Sequence, residues 1–197
     1  LRVDGEDKWL GKSSYRYGST NVGDFYDCWH DIKLSNLYFT PREINGDKFL
    51  QINMELTNIG STTKTFSLAT SGDIQIADDD NATIQYLGNG FSMSNRFCTT
   101  SEFYGGNVKT ATLNVYAKNA PYVTDADAVG ISIYANRRNN IWNNNVLGDT
   151  TTRYNFKRHR GDTGFDSAFD ASFSIAWKDR TIASGEKKTY SYIIGVG

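Results

Sequence analysis

The sequence predicts an all-β protein in which two antiparallel sheets pack as a sandwich, with about a dozen strands. Three observations predict it. Short stretches alternate apolar and polar residues with a period of two, no stretch sustains a helical apolar stripe, and turn residues recur at intervals of about ten to twenty positions. Composition agrees, with twelve Tyr and eleven Phe dominating an aromatic share of 14%, and eighteen Gly among many Asn, Ser, Thr and Asp. A chain of 197 residues supports one core, so residues 1–197 are expected to form a single β-sandwich domain. A closed barrel is the competing architecture.

In chain order, the first clear strand is Ile32 to Phe39. Its apolar phase slips by one residue between Leu34 and Leu37, the trace of a β-bulge or of a strand that changes face. Lys48 to Thr57 alternates most cleanly, with Leu50, Ile52, Met54 and Leu56 on a core face and Gln51, Asn53, Glu55 and Thr57 on a wet one. Asn58-Ile59-Gly60-Ser61 then turns the chain into Thr63 to Thr70, whose Phe66 and Leu68 continue the apolar face, so these two strands are expected to pair as a hairpin. Further strands are expected at Asp73 to Ile76, Ala82 to Leu87, Thr110 to Ala117, Gly130 to Ala135, Thr152 to Phe156, Ser172 to Lys178 and Lys187 to Ile194. Trp177 lies in phase with Phe173 and Ile175, which assigns it to the core. Thr99 to Asn107, Asn136 to Thr150 and Lys157 to Ala171 interrupt the pattern and are the loops freest to carry function.

A formal net charge of -1 gives no general attraction to nucleic acid or anionic membrane, and no apolar run approaches the roughly eighteen residues that span a bilayer. Neither a nucleic-acid partner nor membrane insertion is expected. The chain opens on Leu1 without a leader and is expected to be a processed chain or part of a longer or assembled protein.

Nucleophilic catalysis requires a base beside Ser or Cys, and the chain has only His30 and His159. Cys28 and His30 would share a face on a strand, but His30 reads more plainly as a residue packed on Trp29 or facing solvent. Among Glu6, Glu43, Glu55, Glu102 and Glu186 no pair stands out for glycosidase chemistry. A polysaccharide-processing enzyme would need groups such as Glu102, Asp125, Asp127, Asp162 and His30 to converge in one cleft, and they are not expected to. No catalytic residue is assigned, and the chain is expected not to be an enzyme.

Asp78, Asp79, Asp80 and Asn81 form an oxygen-rich turn of the kind calcium prefers, and calcium is the one cofactor the composition admits. The spacing fails the EF-hand pattern, as does Asp125-Ala126-Asp127, and a solvated acidic turn is the plainer reading. Two His and two Cys far apart argue against zinc. Cys28 and Cys98 either form one disulfide, worth up to roughly 4 kcal/mol for so long a loop, or stay as two thiols. Asn81-Ala82-Thr83 is the one glycosylation sequon. The basic run Lys157 to Arg160 suits sulfated glycans, acidic partner surfaces or plain solvent, and leads into Arg160-Gly161-Asp162, a cell-attachment tripeptide that is also ordinary turn chemistry.

The stretch Arg137-Arg138-Asn139-Asn140-Ile141-Trp142-Asn143 surrounds one indole with amides and guanidinium groups, the mixture that binds sugars by stacking and hydrogen bonding. Trp142, Arg137, Arg138, Asn140 and Asn143 are therefore the candidate carbohydrate site. The competing reading has Trp142 plugging the end of the sandwich while the asparagines tile turns.

The ending SFSIAWKDRTIASGEKKTYSYIIGVG, preceded by Asp162-Thr163-Gly164 and Asp166-Ser167, resembles a recurring ending of extracellular β-domains in large microbial and protist surface proteins. The middle stretch QINMELTNIGSTTKTFSLATSGDIQIADDDNATI resembles the part of those domains that pairs two strands and then places an acidic turn. Such domains are similar to the β-supersandwich group, which includes carbohydrate-active and carbohydrate-binding proteins. The resemblance implies a supersandwich or jelly-roll-like module, secreted or at the cell surface, that builds a coat, fibre or matrix or mediates adhesion by contacts with other copies or domains. A lectin-like glycan-binding module is the alternative. The resemblance brings no catalytic residue. Lys187 to Ile194 and the N-terminal arm are expected to be the edges where a neighbouring strand completes a sheet.

Overall fold

Three two-residue turns fold the first half of the chain, because each places both residues in the left-handed region that suits the twist of a tight hairpin. They are Asp4-Gly5 (φ 52° and 82°), His30-Asp31 (47° and 66°) and Asn45-Gly46 (53° and 92°). The first joins β1 (Arg2–Val3) to β2 (Glu6–Asp7), the second β3 (Cys28–Trp29) to β4 (Ile32–Ile44), and the third β4 to β5 (Asp47–Asn58). The computed structural model describes residues 1–11, 26–74, 83–94, 112–133, 141–142, 153–154 and 171–196. The remaining strands are β6 (Lys64–Asp73), β7 (Thr83–Tyr86), β8 (Gly90–Ser94), β9 (Thr112–Tyr116), β10 (Ala128–Ile133), β11 (Arg153–Tyr154), β12 (Ala171–Ile182) and β13 (Lys187–Val196). No helix occurs among the described residues, so none there is long and apolar enough to cross a membrane.

The strands form two antiparallel sheets, as the periodicity predicts. The narrow sheet has the order β10-β12-β6-β1-β2 and the wide one β11-β7-β8-β9-β13-β5-β4-β3. Their facing sides interlock through aromatic rings: Phe91 meets Phe173 at 5.6 Å, Phe173 meets Tyr192 at 6.0 Å, and Tyr190 sits 5.6 Å from Trp177 and 6.0 Å from Phe66. Trp177, Phe66, Phe91, Ile32 and Leu56 are fully buried. Each such side chain contributes about 1.5–3 kcal/mol, which makes this belt the main cohesion between the sheets.

The expected bulge is present. Leu34 faces Leu56 while Asn36 faces Glu55, so Ser35 is the extra residue, and its hydroxyl donates to the Glu55 carboxylate at 2.9 Å. Trp177 is core, as its phase requires, and its indole N–H donates to the Thr124 carbonyl at 2.7 Å.

Three expectations are corrected. The strands flanking Asn58-Ile59-Gly60-Ser61 do not pair as a hairpin: β5 lies between β13 and β4, and β6 between β12 and β1 in the other sheet. The Asn45-Gly46 turn has already given β5 one neighbour, and the fully buried Asn58 turns the chain across the sandwich. Its amide donates to the carbonyls of Thr62 (2.7 Å) and Ile182 (3.0 Å) and accepts from Gly60 N–H (2.9 Å). The wet face assigned to β5 is wet only in part. Gln51 and Asn53 are buried because the segment around Tyr122 and Thr124 lies over them, Gln51 donating to the Tyr122 carbonyl at 2.8 Å and Asn53 accepting from the Ser191 hydroxyl at 2.7 Å. Finally, β13 is no edge, since β5 and β9 flank it. The short β8 went unpredicted: Gly90-Phe91-Ser92-Met93 alternates over too few residues to stand out.

Candidate functional site

The sheets diverge between β6 and β1 on one side and β5 and β4 on the other, leaving a cavity of about 470 Å³. The register explains its floor. Leu37 lies opposite Met54 and Phe39 opposite Ile52, while Tyr192 lies opposite Ile52 from the other flank, so all five project from one face of the wide sheet. The roof is Leu68 to Ser71 of β6, with Leu1 beside it. Trp9 and Leu10 close one side, held where the Trp9 carbonyl accepts from Tyr26 N–H at 2.9 Å and Leu10 bridges Tyr26. Ile141 and Trp142 close another.

Trp142 is the one member of the expected sugar site among the described residues, and it is built into the wall. Arg2 stacks on its ring with the guanidinium carbon 4.5 Å from the centroid, and its indole N–H donates to Asp7 at 3.0 Å. Arg2 in turn holds Asp7 through two bonds, at 2.7 and 2.9 Å. Partial burial works to raise the Asp7 carboxyl, but the Arg2 and Trp142 hydrogen bonds outweigh it and hold the group below its usual range. One indole face is therefore covered, and the ring acts as a wall of the cavity. Arg137, Arg138, Asn140 and Asn143 lie outside the described residues.

Among the described lining residues inside, Thr70, Ser71 and Tyr192 carry hydroxyls. Burial pushes the Tyr192 phenol up to about 12, against a smaller lowering effect of Thr70, so the phenol stays protonated across the neutral range. Lys8 sits at the rim with its ammonium over Trp29 (4.6 Å) and Tyr26 (5.7 Å), a cation–π placement. From Phe39 at the cavity floor the same face of the wide sheet continues outward as a shelf with Leu50 and Val196, the three being 57%, 39% and 66% exposed.

Other candidates fall elsewhere. Cys28 is a half-buried free thiol on β3, raised in pKa chiefly by desolvation, and its expected partner Cys98 lies outside the described residues. His30 is in a turn at φ 47° and shares no strand face with Cys28, which corrects that geometry; its ring meets Trp29 edge-on at 4.7 Å. Asp125 accepts from Asn119 N–H, and Asp127 from Lys178 N–H and Arg180. Asp125 thus braces the β9–β10 loop on itself, and Asp127 ties that loop to β12. Asp78 to Asn81, Glu102, Lys157 to His159 and Arg160 to Asp162 lie outside the described residues, within which no group of three or more His, Cys, Asp or Glu gathers as a metal site. Trp9, Leu37 and Tyr192 were not singled out by the sequence; the only local signal was the apolar pair Trp9-Leu10 following the Asp4-Gly5 turn. Comparison with protein-family models and with curated proteins finds no match for this chain.

Proposed function

We propose that this chain is a non-catalytic binding module of an extracellular surface protein, and that it binds through the cleft between its sheets. The observation that carries the reading is the 470 Å³ cavity, a volume within the roughly 300–1,000 Å³ of small-molecule sites, walled by two tryptophans and the divergent faces of both sheets. The structural engagement of Asp125 and Asp127 supports the non-catalytic part, and the resemblance of the two quoted stretches supports the extracellular part. The test is binding of the neutral, polarity-sensitive dye Nile red. Wild type and Val196→Thr are expected to bind it equally, and Leu37→Trp, which fills the cleft, to lose it while melting cooperatively. Equal binding by Leu37→Trp, or none by the wild type, removes the reading.

The shelf of Phe39, Leu50 and Val196 favours a second role, adhesion to another copy of the chain, because contiguous exposed apolar surface marks contact sites. Sedimentation velocity is expected to give a concentration-dependent dimer that Leu50→Asp abolishes. A monomer at every concentration eliminates this role.

A further inference from the structure

We infer that the cleft takes a neutral amphiphile, a molecule with an apolar body and a single hydroxyl or carbonyl group, in the manner of a long-chain alcohol or a neutral lipid. This rests on the reading of the cleft as the binding site and goes further in naming the guest. The chemistry of the walls carries it. Leu37, Ile52, Met54, Leu68 and Ile141 present hydrocarbon from both sheets and the side wall, and Trp142 adds an indole whose N–H is already committed to Asp7.

Of the two charges at the rim, one is neutralised and the other keeps its charge. Asp7 is neutralised by Arg2, and the Lys8 ammonium lies over the Trp29 and Tyr26 rings. An ammonium guest would meet no unpaired carboxylate among the described lining residues, and a carboxylate guest would meet only the Lys8 ammonium, whose place over two rings it would have to disturb. A pyranose fails for a related reason, since each ring hydroxyl needs a partner and the walls offer few. An extended peptide could pair with the β6 edge beyond Ser67, where β1 no longer pairs, but the N–H and C=O groups on its far side would face hydrocarbon. What the cleft does offer among the described residues is a small set of hydroxyl-bearing side chains, Thr70 and Ser71 on one sheet and Tyr192 on the facing strand of the other. A single hydroxyl or carbonyl can join that set while the rest of the guest replaces water against hydrocarbon.

The experiment is displacement of Nile red from the intact chain by octanol, octanoate, octylammonium, methyl glucoside and an uncharged alternating Val-Thr peptide. Octanol is expected to displace the dye at concentrations at least about tenfold below either charged analogue, with the glucoside and the peptide ineffective. Tyr192→Phe is expected to weaken octanol several-fold and leave benzene binding unchanged, which separates loss of the phenol hydroxyl from loss of the cavity. Dye binding with octanoate or octylammonium as effective as octanol overturns the inference and leaves the cleft standing, as does displacement by the glucoside or the peptide. Absence of dye binding takes both away.

Discussion

Asn58 shows how one side chain governs the joining of the sheets. Its amide bonds the Ile182 carbonyl, its backbone carbonyl accepts from Gly185 N–H and its own N–H donates to the Glu186 carbonyl, so the β5–β6 and β12–β13 connections meet on it. Asn58→Ala takes the amide donor from the buried Ile182 carbonyl and the part-buried Thr62 carbonyl and is expected to cost about 3 kcal/mol, read as a fall in the urea midpoint at constant slope. A change under about 0.5 kcal/mol would show that water replaces the amide. Asp7 governs the wall of the cleft through its charge. Its folded pKa lies below the unfolded value, so its contribution is complete above the ordinary aspartate pKa of about 3.9 and is lost as pH falls through the lower folded value. Trp142 is therefore expected to leave Asp7 only in strong acid, followed by the indole N–H resonance that disappears in Trp142→Phe. A transition near neutral pH would contradict the assignment.

At the level of elements, much was legible because alternation is local. The positions of β5, β12 and β13, the bulge in β4 and the burial of Trp177 all follow from the order of apolar and polar residues over a few positions. Partner choice is not local. Asn58-Ile59-Gly60-Ser61 has the residues of a turn, and nothing in it reveals that the amide of Asn58 will bind a carbonyl 124 residues away. The cleft escaped for the same reason: Leu37 and Ile52 have the pattern of core residues, and only the divergence of the facing sheet leaves them lining a space. Trp142 was legible through its amide-rich neighbours, but not the Arg2 and Asp7 contacts that hold it. The β8–β9 pair offers a sharper test of packing between elements. A Cβ on Gly90 would stand 1.9 Å from the Val115 carbonyl oxygen, so Gly90→Ala must push the strands apart. The expected loss is about 1–3 kcal/mol, measured by thermal unfolding, and an unchanged midpoint would mean the β8–β9 approach is looser than described.

Over the whole molecule, the belt of rings makes the two sheets one cooperative unit, in which Tyr192 packs on Phe173 of the facing sheet. Burial raises the Tyr192 phenol to about 12, so its contribution is complete below the ordinary tyrosine value of about 10 and declines as pH rises from there through the folded pKa. Stability is expected to fall steadily over that interval, with tyrosinate absorbance for this residue appearing together with unfolding; ionisation of every tyrosine in the native state would place Tyr192 outside the belt. The position of β13 in the middle of the wide sheet has a further consequence, for the protein as it is being made. During synthesis β5 has β4 beside it almost at once, but its other flank, β13, and the partner of its Asn58 amide are made much later, Ile182 lying 124 residues on. At about 5–20 residues per second that interval is roughly 6–25 s, during which Met54 and Leu56 stand on a strand with an unpaired edge. The nascent chain is thus most in need of a chaperone once β5 has emerged, and the need ends only when β13 arrives.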